Sequence, residues 1–126
     1  MKTFKTYLQE EKQKARITHF VDFASSHLGL EKKPNIIMLS KREPEMTTAS
    51  YDLNSGDMKV LCGNRAVFDI CRSIAHEMVH QKQHQEIDDP AKLDGSTGSP
   101  HENEANAVAG QLIRIYGKEN PEFYDE

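Results

Sequence analysis

The run His76-Glu77-Met78-Val79-His80 constrains this chain more than any other feature. Two histidines four residues apart work together on a helix, where one stands a turn above the other, about 6 Å along the axis. Both imidazoles then reach a single metal ion, at ~2.0–2.1 Å if the ion is zinc. Glu77 is rotated by about 100° from His76 and can meet a water molecule at that ion. The flanking residues supply the helix. Val67, Ile70, Cys71, Ile74 and Met78 recur at three- and four-residue steps, with Ala75 and Val79 beside them. The spacing predicts a helix over about 65–86, capped by Asn64. The competing reading of the two histidines is a pair on a solvated polar face.

A catalytic zinc ion takes a third protein ligand and keeps one position open. The candidates lie in His101-Glu102-Asn103-Glu104-Ala105-Asn106. Glu102 shares a stripe with Ala105, Ala109, Leu112 and Tyr116 on a helix predicted over roughly 101–116, so it is expected to face inward. Glu104 falls about 200° round that helix and is expected to face away; His101 is the third candidate. An inward carboxylate with no partner is costly, and a metal ion removes the cost. The helix dipole is the competing reason for a glutamate at Glu102. His84 continues the line of His76 and His80 but stands about 12 Å from His76, too far to share the ion. Asp69, Arg72 and Ser73 precede His76 on the same stripe. They either orient ligands and bind substrate or form an exposed face.

The rest of the chain reads as an α+β domain. A helix is expected over 4–29, with Phe4, Leu8, Ile17, Phe20, Val21, Ala24 and Leu28 on one stripe and Gly29 as its stop. Residues 35–39 form a short apolar run between Pro34 and a polar segment, expected as a buried strand. A hairpin follows, with Ala49, Tyr51 and Leu53 alternating outward, Asn54-Ser55-Gly56-Asp57 as the turn, and Met58, Val60 and Cys62 returning. Residues 87–100 are expected as a loop. They lack the ending of a phosphate-binding loop. Gly117 and Pro121 are expected to end the last helix, leaving residues 118–126 as an exposed tail.

Composition narrows the function. A chain of 126 residues fits one domain spanning 1–126. Its formal net charge of -4 argues against a nucleic-acid-binding surface. The basic residues Lys2, Lys5, Lys12, Lys14 and Arg16 are interleaved with acids, as on a solvated helix face. No apolar run has the length of a membrane span, and the N-terminus lacks an apolar signal core, so a cytoplasmic location is expected. Cys62 and Cys71 lack CxxC spacing and are expected as buried thiols.

At His76–His80 and Glu102–Ala109 the sequence resembles the gluzincin zinc peptidases. In that class HExxH is followed some twenty residues on by a helix bearing a glutamate ligand. The segment Glu102-Asn103-Glu104-Ala105-Asn106-Ala107-Val108-Ala109 is similar to the E-x-E-A-N-x-F-A stretch of the ImmA/IrrE-like peptidases, small proteins of bacteria and mobile elements. The resemblance covers about 47–116. It implies a minimal zincin-like domain with an N-terminal helix, a small sheet with a hairpin, the HExxH helix and a ligand-bearing C-terminal helix. It implies one zinc ion on His76, His80 and Glu102, with Asn106 supporting a histidine. A phage-like origin, and so a host cytoplasm, accords with it.

The expected activity is hydrolysis of a protein or peptide substrate by zinc-activated water, with Glu77 as general base. Tyr51, His101 and Tyr116 are unranked candidates for stabilising the oxyanion. An extended substrate is expected to add to the hairpin's free edge. The alternatives are a zinc-stabilised binding module without catalysis and an amidase acting on peptidoglycan.

Overall fold

A long helix, a three-stranded sheet and two further helices follow one another along the chain. The computed structural model describes residues 3–44, 46–87 and 99–126. Helix α1 spans Phe4–Leu28, strand β1 Asn35–Leu39, β2 Ala49–Tyr51, β3 Asp57–Leu61, helix α2 Val67–Glu86 and helix α3 Pro100–Glu119. A short 3-10 helix, Pro121–Asp125, ends the chain. The architecture is α+β. None of the described helices is long and apolar enough to cross a membrane.

Local chemistry sets most of these boundaries. Thr3 caps α1 by accepting from the Thr6 amide, and Gly29 stops it in the left-handed conformation at φ 67°. Only the second half of α1 is packed. Ile17, Phe20, Val21 and Ala24 are buried, whereas Phe4 and Leu8, expected on the same stripe, are 76% and 43% exposed. The turn at 52–57 forms because Asp52 Oδ1 accepts from the Asn54 amide while Gly56 takes φ 77°. The hairpin is shorter than the alternation suggested, since Leu53 is outside β2 and half exposed.

The strand order is β1-β3-β2, with β1 parallel and β2 antiparallel to β3. Registers Ile36↔Met58, Met38↔Val60 and Ala49↔Val60 put these residues on one face. Met58, Val60 and Ala49 are buried there with the apolar stripe of α2. The run at 35–39, expected as a buried strand, is instead a half-buried edge. Its apolar character serves one packed face of the sheet and one partly covered face.

Two helix ends differ from expectation. Asn64 does not cap α2. It takes φ 57°, Ala66 occupies the cap position, and no side chain bonds there. Helix α3 runs through Gly117 to Glu119. At Gly117 the missing Cβ leaves room for the Tyr124 ring, whose Oη would lie 2.1 Å from an added Cβ. Residues 88–98, most of the expected loop, lie outside the described residues, as does Lys2.

The segment expected as an exposed tail is exposed over most of its length but is pinned by one buried side chain. Phe123 is fully buried against Phe20 and Tyr116, with ring centroids 6.3 and 5.0 Å away. Arg16 fastens it by donating from Nε and Nη2 to both Glu126 carboxylate oxygens at 2.9 and 2.8 Å. Its Nη1 donates to Tyr116 Oη, which in turn faces His19 Nδ1 at 2.6 Å. Phe123→Ala should therefore lower unfolding stability by about 3–5 kcal/mol. Urea titration checks this; a loss under ~1 kcal/mol would show that the C-terminal segment contributes little to the core.

Candidate metal centre

Helix α2 lies between the sheet and the other two helices. Its apolar stripe therefore faces inward, and His76 and His80 emerge on a flank beside the start of α3. Ser99 caps α3 by accepting from the Glu102 amide at 3.2 Å, and Pro100 opens the first turn. That cap sets the rotation of α3 and aims Glu102 at the two histidines. His76 Nε2 lies 2.7 Å from Glu102 Oε1, and His80 Nε2 lies 3.0 Å from Oε2. The two Nε2 atoms are 3.2 Å apart. All three side chains are partly exposed, and their donor atoms converge closely enough to hold a metal ion.

Gln83 explains why His80 presents Nε2. The Gln83 amide nitrogen donates to the His101 carbonyl and to Glu104 Oε1, both at 2.9 Å. Its oxygen is thereby turned toward His80 Nδ1, at 2.8 Å. An amide oxygen only accepts, so Nδ1 carries the proton and Nε2 of the neutral ring offers a lone pair. That lone pair faces a carboxylate oxygen and a second imidazole nitrogen. Acceptors so close together need a positive centre between them, whether a proton or a metal ion. The donor set therefore fits a cation.

Gln83 was not singled out from sequence. The available signal was its place three residues after His80, one turn on along the same face, together with its 6% exposure. Asn106, which the family resemblance assigns to supporting a histidine, is exposed on α3. Among the described residues no hydrogen bond joins it to His76 or His80; Gln83 occupies that role for His80. Glu104 is not one of the three clustered side chains; its Oε1 accepts from the Gln83 amide nitrogen.

Glu77 stands beside the cluster without joining it. Burial pushes its carboxyl up to about 7, with His80 opposing and Glu102 reinforcing the shift. His84 lies beyond the cluster, and burial pushes its imidazole down. The oxyanion candidates fall in different places. The His101 carbonyl is held by Gln83. Tyr51 is half-buried on β2, where burial raises its phenol. Tyr116 is fully buried, bonded to Arg16, and about 21 Å along α3 from Glu102. That distance removes it from the cluster. Cys71 is buried in the core and Cys62 is half-buried; both are free thiols.

The cluster opens into a cleft of about 390 Å³. Thr47, Thr48, Arg65, Asp69, Arg72 and Ser73 line it together with Glu77 and the three candidate ligands. None of these is a hydrocarbon residue. Arg65 braces the wall, donating to the Leu61 carbonyl at 2.8 Å, the Asp69 carbonyl at 3.0 Å and Ser73 Oγ at 2.8 Å. Ser73 Oγ in turn lies 3.1 Å from Thr48 Oγ1. The stripe Asp69, Arg72, Ser73 thus faces the cleft. Arg65 and Thr48 were not singled out from sequence, since their positions depend on how the sheet meets α2.

Comparison with protein-family models, curated proteins and solved structures finds no match to the chain.

Two outcomes follow from this geometry. Gln83→Ala should weaken divalent-metal affinity by ~10–100-fold, because His80 loses the partner that fixes its tautomer; titration against a competing chelator reads this directly. Unchanged affinity would mean that His80 is oriented by other contacts. The second outcome concerns pH. The Glu77 carboxyl rises from 4.5 to about 7 on folding, so it favours the folded state fully below pH 4.5 and loses that contribution as pH rises through about 7. In metal-free buffer Glu77→Gln should therefore gain stability relative to wild type above pH 7, by at most about 3 kcal/mol. Denaturation at pH 5 and pH 8 measures the gap; an equal gap at both values would refute the burial cost.

Proposed function

We propose that this chain is a zinc metallopeptidase in which His76, His80 and Glu102 hold the ion and Glu77 is the general base. The observation that carries the reading is Glu77. It shares the cleft with the three ligand residues, lies outside their cluster, and has a carboxyl raised to about 7. A purely structural metal site has no use for a basic group beside the ion. The resemblance of Glu102–Ala109 to the ligand segment of ImmA/IrrE-like peptidases points the same way and supports a minimal zincin-like fold.

The donor spacing suits zinc. Bonds of ~2.0–2.1 Å in a tetrahedron separate ligand atoms by about 3.3–3.4 Å. His76 Nε2 and His80 Nε2 are 3.2 Å apart, close to that spacing, and each lies within 3.0 Å of one oxygen of the Glu102 carboxylate. His76, His80 and Glu102 would hold the ion, and all three line the cleft. Bound zinc would supply Lewis acidity toward a peptide carbonyl and lower the pKa of water.

The chain's own residues do the rest. Glu77 would take a proton at its carboxylate and deliver it to the leaving amine. Gln83 keeps His80 in the tautomer that leaves Nε2 free. The β2 edge is unpaired within the sheet, and Thr47 and Thr48, just before it, line the cleft. A peptide extended there can gain main-chain hydrogen bonds while its carbonyl reaches the ion.

Glu77→Gln tests the proposal. Metal analysis should find about one zinc per chain in both proteins, since Glu77 is not a ligand. Cleavage of a mixed peptide library, read by mass spectrometry, should fall by ~10²–10⁴-fold in the variant. Equal cleavage by both would assign the activity to another group. Zinc binding without cleavage of any peptide or of native partner proteins would leave a metal-stabilised binding module.

A further inference from the structure

We propose that Arg72 binds a carboxylate of the substrate, so that the cleft selects acidic peptides. The inference rests on the peptidase reading for its substrate class and on the cleft itself for its chemistry. Arg72 precedes His76 by one helical turn, about 6 Å along α2, and lines the same cleft. The neighbouring Arg65 is committed to the wall by three hydrogen bonds. Arg72, in contrast, is exposed and makes no ion pair or hydrogen bond among the described residues. It is a cation at the cleft whose donors remain available.

The rest of the described lining offers no hydrocarbon side chain for a substrate side chain to bury against. Discrimination must then come from charge and hydrogen bonding, and Arg72 is the charged group with unused donors of the kind that pair bidentately with a carboxylate. Asp69 bounds the subsite. It lies a turn farther from the ligands and repels a second acid there. An extended peptide advances ~3.3 Å per residue, so a carboxylate near Arg72 sits about two residues from the carbonyl at the ion. Either an internal glutamate or aspartate, or the free carboxylate of a short product-side segment, meets that geometry.

The test uses the full zinc-loaded chain carrying Glu77→Gln, so that peptides bind without turnover. Four octapeptide pools are compared by calorimetry: internal Glu with an amidated end, internal Gln amidated, internal Gln with a free acid end, and internal Lys amidated. The amidated Glu pool, the free-acid pool or both should bind about tenfold more tightly than the amidated Gln pool. The pool that gains identifies the source of the carboxylate. Adding Arg72→Gln should abolish the preference, and adding Arg72→Glu should transfer it to the Lys pool. Equal binding of all pools, no binding of any, or an acid preference that survives Arg72→Glu would each overturn the proposal. Cleavage by the wild type without acid preference would remove the subsite and keep the peptidase. Acid-selective binding with no wild-type cleavage would do the reverse.

Discussion

Two imidazole nitrogens and a carboxylate from two helices meet where α2 packs on α3, and the surrounding contacts hold them there. His76 and His80 come from one turn of α2, and Glu102 from the first turn of α3. Left alone, a carboxylate oxygen 3.0 Å from an imidazole lone pair is repelled. The fold counters this by anchoring each side separately. Ser99 fixes the start of α3, Gln83 spans the two helices, and the apolar stripes beneath lock their rotation. A cation bound there would meet a site whose ordering cost is already met by folding, which is the physical meaning of preorganisation.

The parts of this arrangement that follow from helical periodicity were legible in the sequence. The positions of His76, His80 and Glu102 relative to one another depend on two repeat lengths and on which face is apolar, and both can be read directly. The central strand pairing was also accessible, because the turn at Asn54–Asp57 pins the register of β3 against β2. What was not legible depends on contacts between distant residues. The burial of Phe123 requires α1 and α3 to leave a gap lined by Phe20 and Tyr116, and nothing local to Pro121–Asp125 announces it. Asn64 illustrates a different limit. Asparagine suits both a helix cap and a left-handed turn residue, and the chain uses the second option. Gln83 escaped notice because a glutamine on a helix is usually solvated, and only the placement of His101 and Glu104 makes it a bridge.

The electrostatic character of the cleft comes from α2 alone to an unusual degree. Arg72, His76, Glu77 and His80 all project from it, and Arg65 joins from the residues just before it. One rigid element thus fixes the spacing between the two histidines of the cluster, Glu77 and Arg72. The helix is in turn held on one side by the sheet and on the other by α1 and α3. The geometry of the cleft and core packing are therefore two faces of a single helix, and a core substitution at Ile74 or Met78 would be felt at His76 and His80.

The uneven packing of α1 has a consequence for its internal motion. Residues 17–28 are bolted to the core, while Phe4, Tyr7 and Leu8 project into solvent at 76%, 53% and 43% exposure. A helical segment of that length holds together only marginally on its own hydrogen bonds. The first three turns can thus unwind without disturbing the aromatic cluster below them, and Arg16, anchored to Glu126, marks where the unwinding stops. Amide protons on the two sides of that residue belong to separate exchange regimes. Those before it are released by local fraying at small free-energy cost, and those after it are released only when the whole domain opens.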